Sequence, residues 1–264
     1  MDLGLKGRTA LVTGASQGIG RAVSLRYAAE GVRVVLCARR EAPLQELAAA
    51  IKADGGTAIA VPCDVTDPDA PARVLEAAAE SFGLVDVLVN NAGIATPAKV
   101  LATTEADWQA GMDLNFLSAV RFTRACLPAM VDAGRGSIVH VSSTTAKIAD
   151  PYYAIYGAAK AALISFSKTV SISFATDGIR SNCVLPGITR SEMVEANFAS
   201  AREATGATPE EVMERTLKKA RIPVGRIAEP EEIADAIVFL TSPNADWITG
   251  IAMPLDGGTI PVAS

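Results

Sequence analysis

A regular alternation of short apolar runs and longer alanine-rich segments most constrains the fold of this chain of 264 residues. The apolar runs are rich in β-branched residues, and several are apolar almost throughout, as is typical of strands covered on both faces. They span residues 9–12, 33–37, 58–62, 85–90, 137–141, 179–185 and 251–255. Segments with helical character lie between them, at 19–30, 44–53, 69–82, 105–132, 152–175 and 231–240. This order predicts an α/β fold, in which a doubly wound parallel sheet has helices on both faces.

Composition excludes several classes of protein. Half of the residues are hydrophobic and a fifth are charged, which excludes a disordered chain. The net charge of -5 argues against a nucleic-acid partner, because such a protein lacks the positive field that holds a phosphate backbone. The sequence contains no run of about 18 apolar residues, so we expect no membrane helix. Residues 1–7 do not have the pattern of a signal peptide. We therefore expect neither a membrane partner nor a nucleic-acid partner.

The cysteines and the single histidine argue against a metal site. Cys37, Cys63, Cys126 and Cys183 are far apart in sequence, and His140 alone cannot complete a zinc site with them. We expect four reduced and mostly buried thiols, a cytoplasmic location and no bound metal. His140 lies within a predicted strand, which favours a packed core residue.

A glycine-rich turn follows the first predicted strand. It has the sequence Gly14-Ala15-Ser16-Gln17-Gly18-Ile19-Gly20 and opens the first predicted helix. Gly14 allows a tight turn, Gly18 lets a pyrophosphate approach the backbone, and Gly20 lets the helix pack against the strand. The N–H groups at the start of the helix would bind the phosphates. A plain tight turn between strand and helix is the alternative.

The residues after the second predicted strand indicate which dinucleotide binds. An acidic side chain at this position would favour NAD(H), but the chain has Arg39 and Arg40 instead. Arginine binds phosphate through a bidentate fork, which favours the 2′-phosphate of NADP(H) with Arg39 as the main contact. NAD(H) remains possible as a cofactor, because two arginines can equally form a solvated surface pair.

Two further segments follow the third and fourth predicted strands. Asp64 and Val65 can contact an adenine edge, although an aspartate here can equally cap a helix. The segment Asn90-Asn91-Ala92-Gly93 would let a ribose pass close to the backbone, or it is a generic Asn/Gly turn.

A tyrosine and a lysine share one face of the fifth predicted helical segment. Tyr156 and Lys160 are four residues apart, so their side chains are close enough to interact. A nearby ammonium lowers the pKa of a phenol, which could then exchange a proton with a carbonyl oxygen. The alternative is an ordinary contact on a helix surface. Ser142 and Ser143 end the preceding strand, and because side chains alternate along a strand, only one of them should face a ligand.

Two more features have open interpretations. Asn115 falls in the middle of a predicted helix, where an inward amide needs partners, so it is either a functional amide or an ordinary polar residue. Residues 191–221 form a long polar stretch that we interpret as one or two helices over the ligand cleft, with an insertion of no role as the alternative. A serine hydrolase is disfavoured, because the chain has no G-x-S-x-G nucleophile elbow.

Together these motifs resemble the short-chain dehydrogenase/reductase family. The motifs Thr13-Gly14-x-x-x-Gly18-Ile19-Gly20, Asn90-Asn91-Ala92-Gly93, Asn115, Ser143, Tyr156-x-x-x-Lys160 and Pro186-Gly187 occur in the family's order. The resemblance covers nearly the whole chain and implies a single Rossmann domain over residues 1–264, with a seven-stranded sheet. The branch that it most resembles contains 3-oxoacyl-(acyl-carrier-protein) reductases and related ketone and alcohol dehydrogenases.

The resemblance also implies a role for each motif. Tyr156 would be the general acid/base, Lys160 would lower its pKa and bind the nicotinamide ribose, Ser143 would hold the substrate oxygen, and Asn115 would fix a water molecule in a proton relay. The implied cofactor contacts are the glycine turn with Ser16, Gln17 and Ile19; Arg39 and Arg40; Asp64 and Val65 at the adenine; Asn91, Ala92 and Gly93 near the ribose; Tyr156 and Lys160; and the loop Pro186, Gly187, Thr189 and Ser191 at the carboxamide.

The implied function is hydride transfer between NADP(H) and a carbonyl or secondary alcohol. Apolar side chains predicted around the substrate favour a moderately hydrophobic ketone or a 3-oxoacyl substrate; they are Ile94, Ile148, Tyr152, Tyr153, Met193, Val194 and Phe198. The alternatives are an NAD-dependent alcohol or sugar dehydrogenase of the same family, an epimerase or dehydratase, and a nucleotide-binding regulator without activity. The family commonly forms homotetramers, so we expect a homo-oligomer.

Overall fold

The structure is a computed structural model that describes residues 2–261. Its centre is one sheet of seven parallel strands in the order β3-β2-β1-β4-β5-β6-β7. The strands are β1 (Thr9–Thr13), β2 (Arg33–Ala38), β3 (Thr57–Pro62), β4 (Val87–Asn90), β5 (Gly136–Val141), β6 (Ile179–Pro186) and β7 (Ala252–Leu255). The predicted α/β class, with seven strands and parallel pairing, is confirmed.

Helices connect the strands as the alternation predicts. The described α-helices are α1 (Gly18–Ala29), α2 (Glu41–Ala53), α3 (Ala70–Phe82), α4 (Glu105–Met112), α5 (Ser118–Asp132), α6 (Ala154–Phe174), α7 (Glu192–Thr205), α8 (Pro209–Ala220) and α9 (Pro230–Thr241). Helix α2 begins at Glu41, three residues before the predicted start at residue 44. Pro43 is tolerated in its first turn, because the N–H groups there have no hydrogen-bond partner within the helix. Within residues 2–261, no helix is long and apolar enough to cross a membrane.

Strand β2 shows how helices cover both faces of the sheet. Val34 and Leu36 belong to one buried cluster, whereas Val35 and Cys37 belong to another on the opposite face. The first cluster includes residues of α1, α2 and α9, and the second includes residues of α3, α5 and α6. A strand buried on both sides is apolar at most positions, which explains the apolar runs in the sequence.

The helix predicted over residues 105–132 is interrupted. Helix α4 ends at Met112, a π-helical turn covers Asp113–Leu117, and α5 continues from Ser118. The turn contains Asn115, whose side chain forms hydrogen bonds with the loop that follows β4. A π-turn commonly marks a functional site, because its extra residue re-aims a side chain.

The strand order places a crevice at the carboxyl ends of the strands, between β1 and β4. The chain leaves β3 at one edge and returns to β4, beside β1, so the order reverses between β1 and β4. Ligands of open parallel sheets bind where the order reverses, beyond the carboxyl ends of the strands. The glycine turn after β1 and the Asn90–Gly93 segment after β4 both lie at this point.

Candidate active site

A groove of about 920 Å³ runs along the carboxyl ends of the strands. Most of the predicted site residues line it: Gly14, Ser16, Gln17, Gly18, Ile19, Arg39, Arg40, Val65, Asn91, Ala92, Gly93, Ser143, Tyr156, Lys160, Pro186, Gly187, Thr189 and Ser191. The lining does not include Gly20, Asp64 or Asn115. The fold thus gathers motifs from six strand ends into one cleft.

The glycine turn is shaped by close backbone approach. Gly14 has φ of +66°, and a Cβ atom on Gly20 would lie 2.3 Å from the carbonyl oxygen of Gly14. Any side chain at position 20 would therefore push α1 away from the strand, which confirms the predicted packing role of Gly20. Gln17 precedes α1 without a side-chain cap, so the first N–H groups of the helix have no side-chain acceptor. A dinucleotide phosphate fits this position, because a helix N-terminus binds anions.

Asn91 holds the glycine turn in place. Its side-chain amide donates to the carbonyl oxygens of Thr13 at 2.9 Å and Gly14 at 3.2 Å. The Thr13 hydroxyl in turn accepts the N–H groups of Asn91 and Ala92. The amide of Asn91 is thereby engaged with the protein backbone, so the residue shapes the floor of the groove.

Asp64 forms a local turn beside the groove. Its Oδ1 accepts hydrogen bonds from the N–H of Thr66 at 2.9 Å and from the Thr66 hydroxyl at 2.7 Å. The pKa of Asp64 is lowered, chiefly by the N–H of Thr66. The side chain therefore forms a local turn and caps no helix, because α3 begins at Ala70 with Asp69 as its N-cap residue, while Val65 is the neighbour that lines the groove.

Tyr156, Lys160 and Ser143 meet in the middle of the groove. The Lys160 ammonium lies 5.5 Å from the centre of the Tyr156 ring and donates to the Val141 carbonyl oxygen at 2.9 Å. Ser143 caps the short turn that follows β5, where its hydroxyl accepts the N–H of Thr145 at 3.2 Å. The Ser142 hydroxyl donates to the Lys160 carbonyl oxygen at 2.8 Å. Both serines line the groove, so the prediction that only one of them faces it is wrong, although the Ser142 hydroxyl is already engaged with the backbone of Lys160.

Asn115 supports the loop that borders Lys160. Its Oδ1 accepts the N–H of Ile94 at 2.9 Å, and its Nδ2 donates to the carbonyl oxygens of Ile94 and Gly111. A Cβ atom on Gly93 would lie 2.7 Å from Asn115 Oδ1 and 3.1 Å from Lys160 Nζ. Gly93 is therefore the point where the amide and the ammonium come together.

The two arginines after β2 have different surroundings. Arg40 donates to the Gln17 side chain and lies 3.5 Å from the Glu192 carboxylate at the start of α7. Within the described range, Arg39 has no hydrogen bond or ion pair with another residue. Its guanidinium is exposed at the groove, so it can accept an anionic ligand without breaking an existing ion pair.

Comparison with known proteins identifies the chain. Residues 14–259 match a family model described as enoyl-(acyl carrier protein) reductase. The 3-oxoacyl-[acyl-carrier-protein] reductase FabG of Vibrio cholerae is 36% identical over 256 residues, which are 97% of this chain and 98% of that protein. The chain belongs to the short-chain dehydrogenase/reductase family. It is accordingly an oxidoreductase that acts on carbonyl or CH–OH groups.

Two solved structures of short-chain dehydrogenases/reductases resemble this one closely. L-sorbose reductase from Gluconobacter frateurii, complexed with NADPH and L-sorbose, has a TM-score of 0.96 and 34% identity, with 100% of both chains covered. A variant of actinorhodin polyketide ketoreductase with NADPH has a TM-score of 0.90 and 32% identity, with 97% of this chain and 98% of that chain covered.

Burial dominates the electrostatics of this short-chain dehydrogenase/reductase site. It raises the pKa of Tyr156 to about 12, a shift that the neighbouring Ser143 hydroxyl partly opposes. Burial also lowers the pKa of Lys160 to about 8. The lowered phenol pKa expected from the sequence is therefore not seen, because the Lys160 ammonium is directed at Val141 and desolvation outweighs its field. Tyr156 is protonated at neutral pH, which is the form that can give a proton to a carbonyl oxygen.

The structure also tests the predictions made for the histidine and the four cysteines. His140 is fully buried, its ring contacts Phe166, and burial lowers its pKa to about 3. All four cysteines are free and buried, as expected. Cys37 and Cys63, although 26 residues apart in sequence, have sulfur atoms that are 2.8 Å apart.

Four polar groove residues were not named individually from the sequence, although they lie in segments predicted to border the substrate or the nicotinamide. Thr96, Thr145, Arg190 and Asn197 line the cleft and add polar groups to it. Of the predicted apolar wall, Ile94, Tyr153, Met193 and Val194 line the groove, whereas Ile148, Tyr152 and Phe198 do not.

Proposed function

We propose that this protein is an NADP(H)-dependent carbonyl reductase with Tyr156 as its general acid. The observation that carries the proposal is the convergence of Tyr156, Lys160 and Ser143 on one groove that also contains an uncapped helix N-terminus and an unpaired arginine. When bound, NADPH supplies a hydride to the carbonyl carbon. Structural relatives crystallised with NADPH support this choice of cofactor.

The side chains would divide the remaining work. Tyr156 donates its proton to the carbonyl oxygen, and the Ser143 hydroxyl hydrogen-bonds the same oxygen. The Lys160 ammonium stabilises the phenolate that forms, since its charge lies 5.5 Å from the ring centre. Asn115 positions Ile94, and through it Gly93, beside the ammonium. A proton relay through a water molecule bound to Asn115 would pass beside Gly93, where Asn115 and Lys160 approach each other.

Cofactor recognition would depend on both ends of the groove. The uncapped N–H groups of α1 bind the pyrophosphate, and Arg39 binds the 2′-phosphate with a bidentate fork. Val65 contacts the adenine, while Pro186, Gly187, Thr189 and Ser191 border the nicotinamide. The Ser191 hydroxyl already accepts the N–H of Val194 at 3.2 Å, which leaves its own proton available to donate to a carboxamide.

The substrate that we propose is a moderately hydrophobic ketone or a 3-oxoacyl thioester. Ile94, Tyr153, Met193 and Val194 give the part of the groove nearest Tyr156 an apolar wall. A second candidate is a sugar, since Thr96, Thr145 and Asn197 offer hydrogen bonds and L-sorbose reductase matches over both full chains. A dependence on NAD(H) is the alternative for the cofactor.

Residues 191–221 would act as a lid within a single Rossmann domain. Helices α7 and α8 occupy this segment, and Met193, Val194 and Asn197 line the groove from above. The ion pair of Glu192 with Arg40 joins α7 to the cofactor end of the groove. Slower hydrogen exchange in residues 191–221 on addition of NADPH would support the lid, and unchanged exchange would contradict it.

Two properties of the whole protein complete the proposal. We expect a homo-oligomer that buries the outer side of α6, where Ile172 is 70% exposed. Sedimentation velocity tests this, and a monomer at micromolar concentration would contradict it. A cytoplasmic location suits four free thiols, and cell fractionation tests it.

The deciding experiment measures cofactor oxidation with purified protein. NADPH and NADH are compared with aryl ketones, aliphatic ketones, 3-oxoacyl thioesters and L-sorbose. We expect kcat/KM at least about tenfold higher with NADPH and highest with apolar ketones or thioesters. Equal or better use of NADH would overturn the cofactor assignment, and preference for L-sorbose would favour the sugar substrate.

A further inference from the structure

Cys37 and Cys63 are far apart in sequence but adjacent in the fold. Cys37 pairs with Val61 in the register of β2 and β3, and Cys63 lies two positions beyond Val61. Side chains two positions apart point to the same side, so Cys63 faces Cys37. The two sulfur atoms are 2.8 Å apart. A disulfide bond of about 2.05 Å would need the sulfurs to move together by less than about 1 Å.

The two thiols differ in access and in charge. Cys37 is fully buried, whereas Cys63 is 7% exposed and lines the groove. The hydrogen bond from Cys37 and the charge of Arg73 lower the pKa of Cys63, against burial and the Asp64 and Asp67 carboxylates. The same hydrogen bond and burial raise the pKa of Cys37. Cys63 is therefore the thiol that ionises more readily and that an oxidant can reach, and Cys37 is the thiol behind it.

We propose that Cys37 and Cys63 form a modification site that peroxide converts to an intramolecular disulfide. The Cys63 thiolate attacks one peroxide oxygen, the O–O bond breaks, and a sulfenic acid and hydroxide form. The Cys37 sulfur then attacks Cys63, the S–S bond forms, and the S–O bond breaks. The Cys37 proton leaves with the departing hydroxyl as water. The two sulfurs lose two electrons in total, which reduce the peroxide.

The disulfide would act on the adenosine end of the groove. The Cys63 N–H donates to the carbonyl oxygen of Ala38 at 3.0 Å, immediately before Arg39. Val65, two residues after Cys63, lines the same wall. Drawing Cys63 toward the core moves this wall away from the groove, so oxidation weakens NADPH binding. This consequence depends on the proposed cofactor function, whereas formation of the disulfide does not.

The first experiment maps the bond. The whole protein is treated with hydrogen peroxide, trapped with N-ethylmaleimide under denaturing conditions and analysed by mass spectrometry. We expect two alkylated cysteines, Cys126 and Cys183, and a peptide pair joined through Cys37 and Cys63, reversed by a phosphine reductant. In Cys37→Ala, we expect a dimedone adduct on Cys63 and no disulfide. Cys126→Ala is the matched control and should form the same disulfide as the wild type.

The outcomes separate the two proposals. Four alkylated cysteines after treatment, or a bond to Cys126 or Cys183, would overturn the modification site. Titration of NADPH fluorescence should give a Kd at least about threefold higher for the oxidised protein, because small displacements in a binding wall are costly. A mapped disulfide with unchanged Kd would overturn the link to the groove. A reduced protein that fails to bind NADPH would overturn the proposed function and leave the mapped disulfide as evidence for the site.

Discussion

The Ser142 hydroxyl donates a hydrogen bond of 2.8 Å to the backbone carbonyl oxygen of Lys160. This bond ties the end of β5 to the middle of α6, the helix that carries both Tyr156 and Lys160. Ser142 does not carry the chemistry that we assign to Ser143, yet it fixes the distance between the serine loop and the phenol. We regard it as a positioning residue.

Ser142→Ala should therefore lower kcat without abolishing it. We expect a loss of about 1 kcal/mol in the free energy of unfolding and a decrease in kcat of about threefold to tenfold. Urea unfolding and steady-state kinetics measure the two effects. Ser171→Ala is the matched control, because its hydroxyl joins α6 to Thr249 at 3.0 Å, away from the groove. An equal loss of kcat in both variants would contradict a positioning role for Ser142.

Tyr156→Phe should remove turnover and keep cofactor binding. The ring stays, but the proton donor is lost, so kcat should fall by about 10²–10⁴-fold. The Kd for NADPH, measured by fluorescence, should stay within about threefold of the wild type. Tyr152→Phe is the control, since Tyr152 lies outside the groove lining. Turnover near that of the wild type in Tyr156→Phe would reject Tyr156 as the acid.

Arg39→Ala should change the cofactor preference. Loss of the guanidinium should raise KM for NADPH by about tenfold and leave KM for NADH nearly unchanged, since only NADPH has the 2′-phosphate. Lys52→Ala removes the same charge at the far end of α2 and should change neither constant. If NADPH binding survives in Arg39→Ala but fails in Arg40→Ala, the phosphate contact belongs to Arg40.

Lys160→Met should stabilise the protein while inactivating it. Burial lowers the pKa of Lys160 from 10.5 to about 8, so the native state binds fewer protons than the unfolded state between these values. The buried ammonium therefore costs stability below pH 8, and this cost vanishes above pH 10.5. Allowing for the lost hydrogen bond to Val141, we expect a gain of about 1–2 kcal/mol at pH 7.

Unfolding of the Lys160→Met variant should be measured at pH 7 and again near pH 10. The gain should shrink at the higher pH, because the wild-type lysine is then largely neutral in the native state. Lys168→Met, on the exposed side of α6, should change stability by less than about 0.5 kcal/mol. A destabilised Lys160→Met at pH 7 would show that packing and hydrogen bonding outweigh the buried charge.

The rate of ketone reduction should fall as the pH rises through about 8. The Lys160 pKa of about 8 means that its ammonium, which stabilises the tyrosine phenolate, is lost above this pH. Tyr156 itself stays protonated, since burial raises its pKa to about 12. A profile of kcat from pH 5 to pH 10 in constant ionic strength measures the midpoint. A rate that is flat to pH 10 would contradict the role of Lys160.

The sheet could be predicted from the sequence because its strands are buried on both faces. Burial favours apolar residues at most positions of the central strands, so these strands stand out against the alanine-rich helices. The interruption around Asn115 could not be predicted in the same way. It depends on hydrogen bonds to Ile94, 21 residues away, which local helix propensity does not register.

The chemistry of the candidate site could be predicted less completely than its location. The four-residue spacing places Tyr156 and Lys160 on one face, but it does not reveal that the ammonium turns toward Val141. The proximity of Cys37 and Cys63 depends on the register of β2 against β3. Burial and register are properties of the assembled fold, so neither the pKa values of Tyr156 and Lys160 nor the contact of the two cysteines could be predicted from the sequence.

The position of His140 sets limits on how the protein responds to acid. It is the single histidine of the chain, and burial holds its imidazole neutral well below pH 5. Imidazole is the side chain whose ordinary pKa makes it the usual sensor of mild acidification. A fall in the surrounding pH from about 7.5 to about 6.5 would therefore leave the charge of this residue unchanged. Reagents that acylate imidazoles should likewise leave His140 unmodified in the folded protein.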